Sequence, residues 1–198
     1  MRLFSSPASP FATKVRMAAR HCGIALDVVG TDTNAEPADL LAANPLGKIP
    51  ALVLDDGGIL FDSAVICDFL DRRSGHKLVP QDEAGWLRAK RLEAVADGVG
   101  EAAILALYEV RLRPEDMRYQ PWIDKQMRKA FRGLDFLEAQ IGTFGADLTI
   151  AHFALAGVLG WLDLRFKGQW EEGRPGLVAF LAGFGELFPD FPEFKPRA

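Results

Sequence analysis

The run Ala51-Leu52-Val53-Leu54, Asp55-Asp56-Gly57-Gly58, Ile59-Leu60-Phe61 constrains this chain more than any other stretch. Two short β-prone segments joined by two acidic residues and two glycines predict an antiparallel hairpin. Upstream, Leu3–Ser5 reads as a strand. Pro10–His21 reads as a helix, with Phe11, Val15, Ala18, Ala19 and Cys22 at spacings of three and four and Gly23 as its stop. Leu26–Val29 is a second strand, Pro37–Ala43 a short helix, and Ser63–Arg73 a helix after the hairpin. A helical crossover makes the first two strands parallel and the tight turn makes the last two antiparallel. The expected unit is a βαβαββα mixed four-stranded sheet with helices packed on it.

Beyond Trp86 the period changes and no strand is expected. Trp86–Leu112 is a long helical pattern that Pro114 interrupts. Gln120–Ile141 carries a stripe of Met127, Phe131, Leu134, Leu137 and Ile141. Thr149–Phe166 is apolar on nearly every side and belongs in the middle of a bundle. Arg174–Leu187 is a fourth helix. The stretch Phe188–Phe194, rich in Pro and Phe, is expected to lie extended across a surface. The chain thus divides into an α/β unit (1–78), a connecting stretch (79–85) and an all-α helical bundle (86–198).

Composition narrows the function. The chain has 198 residues, 49% hydrophobic and 25% charged, with a net charge of −4. That balance suits a globular protein and argues against nucleic acid or an anionic membrane surface as a partner. No run reaches the roughly 18 apolar residues of a membrane span. Met1-Arg2-Leu3-Phe4 passes at once into Ser and Pro, which does not read as a signal peptide. Cys22 and Cys67 are the two cysteines, with no metal-ligand spacing. They are expected as core residues of a cytoplasmic protein.

Three segments carry chemistry. In Ser5-Ser6-Pro7-Ala8-Ser9-Pro10-Phe11, Ser9 suits an N-cap and Pro10 the first helical position. A thiolate at such a helix start would be stabilised by free N–H groups and by a serine hydroxyl, and a lowered thiol pKa makes it nucleophilic near neutral pH. In Asn44-Pro45-Leu46-Gly47-Lys48-Ile49-Pro50, the proline stands just before a strand. A cis Ile49–Pro50 bond would present the backbone of Ile49 to an extended peptide, whereas a trans bond would make an ordinary strand start. In Phe61-Asp62-Ser63, Ser63 is read as the helix cap whose N–H groups would take a ligand carboxylate. Asp62 beside it would accept from an ammonium group. Each segment alone is also consistent with plain capping or strand entry; their order and spacing are what specify.

That order, followed by an all-helical half, resembles the cytosolic glutathione transferase family, and the Ser-Pro-Phe run is most similar to a bacterial, serine-type subgroup. The resemblance covers essentially the whole chain. It implies a thioredoxin-like first domain that binds glutathione as co-substrate and a helical domain that takes a small hydrophobic electrophile. It implies that Ile49, before the cis-Pro50, pairs with the cysteinyl backbone of glutathione. Asp62 and Ser63 would hold the γ-glutamyl end, Lys48 the peptide or its glycine carboxylate, and Phe11 would pack nearby. Ser9 is the candidate to face the sulfur and act in catalysis, with Ser5 and Ser6 as alternatives. A homodimer is implied as well. Peroxidase or dehalogenase chemistry, or a non-catalytic binding or stress-response role, would use the same site.

The departures also speak. No Tyr lies near the first strand and no Cys lies in Ser5–Phe11, which argues against a tyrosine-type mechanism and against a mixed disulfide there. In Thr149-Ile150-Ala151-His152, His152 stands where the family's capping motif has Asp, and it is expected to be structural. His21 and His76 lack partners at ligand spacing. Tyr108, Trp122, Trp161 and Trp170 are expected either in the bundle core or around the second substrate, and Arg111 and Arg113 near the cleft.

Overall fold

A computed structural model describes residues 1–197. The first half runs β1 (Arg2–Ser5), α1 (Pro10–Cys22), β2 (Asp27–Gly30), α2 (Ala38–Ala43), β3 (Ala51–Val53), β4 (Ile59–Leu60) and α3 (Ser63–Arg73). The second runs α4 (Glu83–Leu112), α5 (Gln120–Gln140), α6 (Ile150–Arg165), α7 (Pro175–Leu187) and α8 (Phe191–Phe194). The strands form one mixed sheet in the order β2-β1-β3-β4, with β1 and β2 parallel and β1/β3 and β3/β4 antiparallel. The α/β-plus-bundle class expected from the sequence is the class observed.

Strand alternation divides the core. Leu3 and Leu52 are paired in register and share a buried cluster with Val15, Ile66 and Leu70. Phe4 and Ala51, the next pair, point to the opposite face and pack with Leu40 and Ala43 of α2. The first cluster continues into the helical half through Phe153, Phe184 and Phe188. A further cluster fills the bundle between α4, α5 and α6. The contact between α1 and α6 is tight: a Cβ at Gly157 would lie 2.8 Å from the carbonyl oxygen of Pro10. Only glycine lets the two backbones approach so closely there.

Several boundaries differ from expectation. The long helix expected from Trp86 starts at Glu83, because the Asp82 carboxylate accepts from the N–H of Gly85 at 2.8 Å. Three residues of the expected connecting stretch 79–85 therefore belong to α4. Leu54 leaves the strand and closes the hairpin turn, donating its N–H to the Gly58 carbonyl at 2.8 Å. The closing stretch, expected to be extended, instead forms the one-turn helix α8. Phe191 and Phe194, three apart, fall on one face and are both buried, Phe191 beside Phe184 and Phe194 beside Phe188. Burial of two aromatic rings outweighs the extended bias of the flanking prolines.

Candidate functional site

The sheet register brings the three segments to one end of the molecule. The chain leaves β1 after Ser5, and the pairing of Phe4 with Ala51 sets that exit beside the entry to β3. Leu52 pairs with Leu60, so the exit from β4 into Asp62 and Ser63 lies at the same end. Ser9, Ile49-Pro50 and Asp62-Ser63 thus flank one cleft.

Ser9 is the N-cap of α1: its Oγ accepts from the N–H of Ala12 at 3.2 Å, and Pro10 occupies the first turn. An accepting Oγ still has its own hydrogen to donate, and Ser9 is only half-buried. The alternatives are placed differently. Ser6 Oγ accepts from the N–H of Ala8 at 3.3 Å, in the turn before the helix. Ser5 is buried in the sheet, its Oγ without a hydrogen-bond partner among the described residues.

The Ile49–Pro50 peptide is cis. Among the described residues, neither the N–H nor the C=O of Ile49 is engaged. Pro50 is buried, Ile49 half-buried and Lys48 exposed. The loop is built around Asn44, a buried residue of the quoted motif whose role the sequence left unassigned. Asn44 Nδ2 donates to the Lys48 carbonyl at 2.9 Å, its Oδ1 accepts from Leu46 N–H at 3.0 Å, and its own carbonyl accepts from Gly47 N–H at 2.9 Å. Gly47 takes the positive φ of 62° that closes this turn.

At α3 the roles expected of the pair change. Asp62 is the N-cap, its Oδ1 accepting from the N–H of Ala64 at 3.0 Å. Ser63 is the first helical residue and is buried. The carboxylate reaches the N–H two residues on better than the helix's own first side chain does, so the cap falls one residue earlier. Asp62 stays exposed to the cleft.

A buried ionic cluster beneath the site had not been anticipated. Lys14 of α1 is 1% exposed, and its Nζ lies 3.0 Å from Glu93 and 2.6 Å from Asp97, both on α4. Lys90 joins Glu93 (2.6 Å) to Asp68 of α3 (2.8 Å). Burial alone would lower the Lys14 pKa; attraction from Asp97 and Glu93 more than offsets it, so the ammonium is held above its usual value and stays charged. Asp97 is pushed above the usual carboxylate range by burial and by the nearby charges of Glu93 and Asp62, against the pull of Lys14. A signal was available: Lys14 stands four and eight residues before Ala18 and Cys22, on the apolar stripe, where an unpaired lysine would be costly.

The remaining candidates sort readily. The Phe11 ring packs against Gly100, within 3.4 Å of where a Cβ would be, and joins α1 to α4 at the cleft. Trp161 and Trp170 are bundle core, while Tyr108 and Trp122 are exposed near the open ends of α4 and α5. Arg113 pairs with Glu109 of its own helix at 2.9 Å. His76 contacts Asp71 at 2.9 Å, and Asp71 in turn accepts from the N–H groups of Leu78 and Val79. His21 packs beside Phe153. His152 is buried. Its Nδ1 accepts from the Thr149 N–H at 3.1 Å, and its Nε2 faces the Gly145 carbonyl at 3.1 Å. Both cysteines are buried, and burial raises both thiol pKa values. Among the described residues there is no metal-binding cluster and no helix long and apolar enough to cross a membrane.

A cis-proline loop, a helix N-terminus and an acidic cap thus stand at one end of a mixed sheet that is backed by a helical bundle. Residues 8–73 match the glutathione S-transferase N-terminal domain and residues 120–183 its C-terminal domain. An uncharacterized GST-like protein of Escherichia coli, YibF, is 31% identical over 186 residues, covering 91% of this chain and 92% of that protein. A glutathione S-transferase structure from Methylobacillus flagellatus with glutathione bound is 36% identical, with a TM-score of 0.90 over 99% of both chains. One from Methylobacterium radiotolerans, in complex with glutathione sulfonate, is 32% identical, with a TM-score of 0.92 over 100% of this chain and 95% of that one. The chain belongs to the glutathione S-transferase family.

Proposed function

We propose that this protein is a serine-type glutathione transferase of the Ser-Pro-Phe subgroup, a cytoplasmic homodimer that joins the thiol of glutathione to small hydrophobic electrophiles in detoxification. The observation that carries the reading is the state of Ser9. Its oxygen is occupied as the α1 cap while its hydrogen is free, at a half-buried position on the cleft. That hydrogen donates to the sulfur and, with the positive end of α1, lowers the thiol pKa so that the thiolate forms near neutral pH. The free backbone of Ile49 pairs with the cysteinyl unit as an added strand. The first-turn N–H groups of α3 at Ser63 take the γ-glutamyl carboxylate, and Asp62 takes its ammonium group. Lys48, exposed beside the loop, meets the glycine end. Pro50 and Phe11 shape the floor.

Attack of the thiolate on an electrophilic carbon forms the C–S bond and expels the leaving group with its electron pair. The protein positions the reactants and stabilises charge, and makes no covalent bond itself. The bound glutathione and glutathione sulfonate of the related structures support the first half of the site.

The test is turnover of 1-chloro-2,4-dinitrobenzene with glutathione, in wild type and Ser9→Ala. The expected result is measurable conjugation that drops about a hundredfold in kcat on losing the hydroxyl, with glutathione affinity nearly unchanged. Glutathione binding without turnover in the wild type favours the non-catalytic reading. Unchanged kcat in Ser9→Ala transfers the role to Ser6.

A further inference from the structure

The turn that carries Ser9 is closed mostly upon itself. Ser9 N–H donates to the Ser6 carbonyl at 3.1 Å, and Ala8 N–H donates to Ser6 Oγ at 3.3 Å. Pro7, at the corner of the turn, is exposed and has no N–H to give. A short exposed turn with so few bonds does not by itself hold a side chain firmly.

Two contacts with α6 grip it from outside. On one side Pro10 sits on Gly157, where a Cβ would lie 2.8 Å from the Pro10 carbonyl oxygen. On the other side the residues after α8 run back across α6 to the turn. Lys195 Nζ lies 3.0 Å from Asp163 of α6, a solvent-facing pair that contributes little by itself. Pro196 is buried, and a Cβ at Gly160 would lie 2.8 Å from its Cδ. Arg197 N–H then donates to the Pro7 carbonyl at 3.1 Å, the only donor to that oxygen among the described residues. Pro196 has its φ fixed by the ring, which removes one of the two torsions that aim the next N–H. Gly157 and Gly160, three apart, are neighbours on one face of α6. One helix therefore holds the segment 7–10 at both ends, with Ser9 between them.

We infer that Lys195–Arg197 is a positioning strap for the sulfur-facing serine. Seated on Gly160 through Pro196, it fixes Pro7 through the Arg197 N–H and so sets where the Ser9 hydroxyl stands over the cleft. The inference rests on the reading of Ser9 given above. Arg197 touches no reacting atom; it acts through Pro7. A serine slightly displaced leaves glutathione bound by Ile49 and Ser63 but stabilises its thiolate less well.

The backbone donor can be removed without shortening the chain. Arg197→Pro deletes the N–H, whereas Arg197→Ala deletes the side chain and keeps the donor. With 1-chloro-2,4-dinitrobenzene, Arg197→Pro should lower kcat about tenfold, the equivalent of one hydrogen bond, and leave the glutathione KM within about twofold. The pKa of the bound glutathione thiol, followed by thiolate absorbance, should rise by about one unit. In hydrogen exchange, the Ala8 and Ser9 amides should exchange about tenfold faster. Arg197→Ala should show none of these changes. Gly160→Ala pushes Pro196 off α6 while keeping the Arg197 N–H, and should move the same readouts in the same direction.

Absence of turnover in the wild type would end the transferase reading and leave the strap to be decided by exchange and thiol pKa. Unchanged exchange at Ala8 and Ser9 in Arg197→Pro, or equal impairment in Arg197→Ala, overturns the strap. Faster exchange with the thiol pKa unmoved overturns its role in positioning Ser9.

Discussion

The N-termini of α1 and α6 meet the rest of the molecule in opposite ways, although the two helices pack in direct contact at Gly157 and Pro10. Both begin with a hydroxyl residue, Ser9 or Thr149. At α1 the cap satisfies one N–H, and the half-buried hydroxyl keeps its hydrogen for a ligand. At α6 the end is sealed from within. His152 accepts from the Thr149 N–H, and its other nitrogen, which must carry the proton, donates to Gly145. The same capping chemistry therefore leaves a hydroxyl hydrogen unspent where the end is only half-buried, and makes a structural joint where a buried partner closes it.

The largest effect should come from removing what fixes the open end. Lys14→Met strips the Glu93 and Asp97 carboxylates of their α1 partner and should cost about 3 kcal/mol in urea unfolding, near the lower limit for a broken buried pair because Lys90 still holds Glu93. A cost under 1 kcal/mol would mean that the cluster does not anchor α1. Gly157→Ala tests the contact between the two ends. Its Cβ would meet the Pro10 carbonyl at 2.8 Å, so α1 must shift, and a loss of about 2 kcal/mol with reduced kcat is expected.

His152→Ala orphans the partly buried Thr149 N–H. Here stability should fall by about 1–2 kcal/mol while kcat per folded molecule holds, the reverse of the Ser9→Ala pattern. If His152→Ala lowers kcat and spares stability, the contrast between an open and a sealed end collapses. The smallest effect is one of pH. Burial, outweighing the Gly145 bond and Asp147, lowers the His152 pKa, so the folded state binds fewer protons than the unfolded one. Its contribution is complete above about pH 6.5, the value of a free imidazole, and is lost as pH falls below it. Thermal melts between pH 7.5 and 5 should show an acid-side loss that His152→Asp reduces.

The backbone features of the candidate site could be read from the sequence because their signals are local. Ser9-Pro10, Ile49-Pro50 and Asp62-Ser63 each declare a backbone event within two residues. The sheet order followed from the hairpin turn and one helical crossover. Lys14, by contrast, meets partners 79 and 83 positions away, and nothing near it in the chain names them. The α3 cap was misplaced by one residue because Asp and Ser are both good caps, and only the backbone decides between them. The closing helix was missed because prolines suggested extension, while the burial of Phe191 and Phe194 depends on a surface assembled from distant segments.

One rod ties α1 and α3 to the bundle. The 30 residues of α4 start at Glu83, take Lys14 at Glu93 and Asp97, touch Phe11 at Gly100 and end in the open at Leu112. At Gly100 the rod lies against the Phe11 ring of α1, and just beyond it Ala102, Ala103 and Ala106 are buried. A methyl group added at Gly100 would stand 3.4 Å from the Phe11 ring and 3.3 Å from Val158, so the spacing of α1 from α4 is set by a residue that has no side chain.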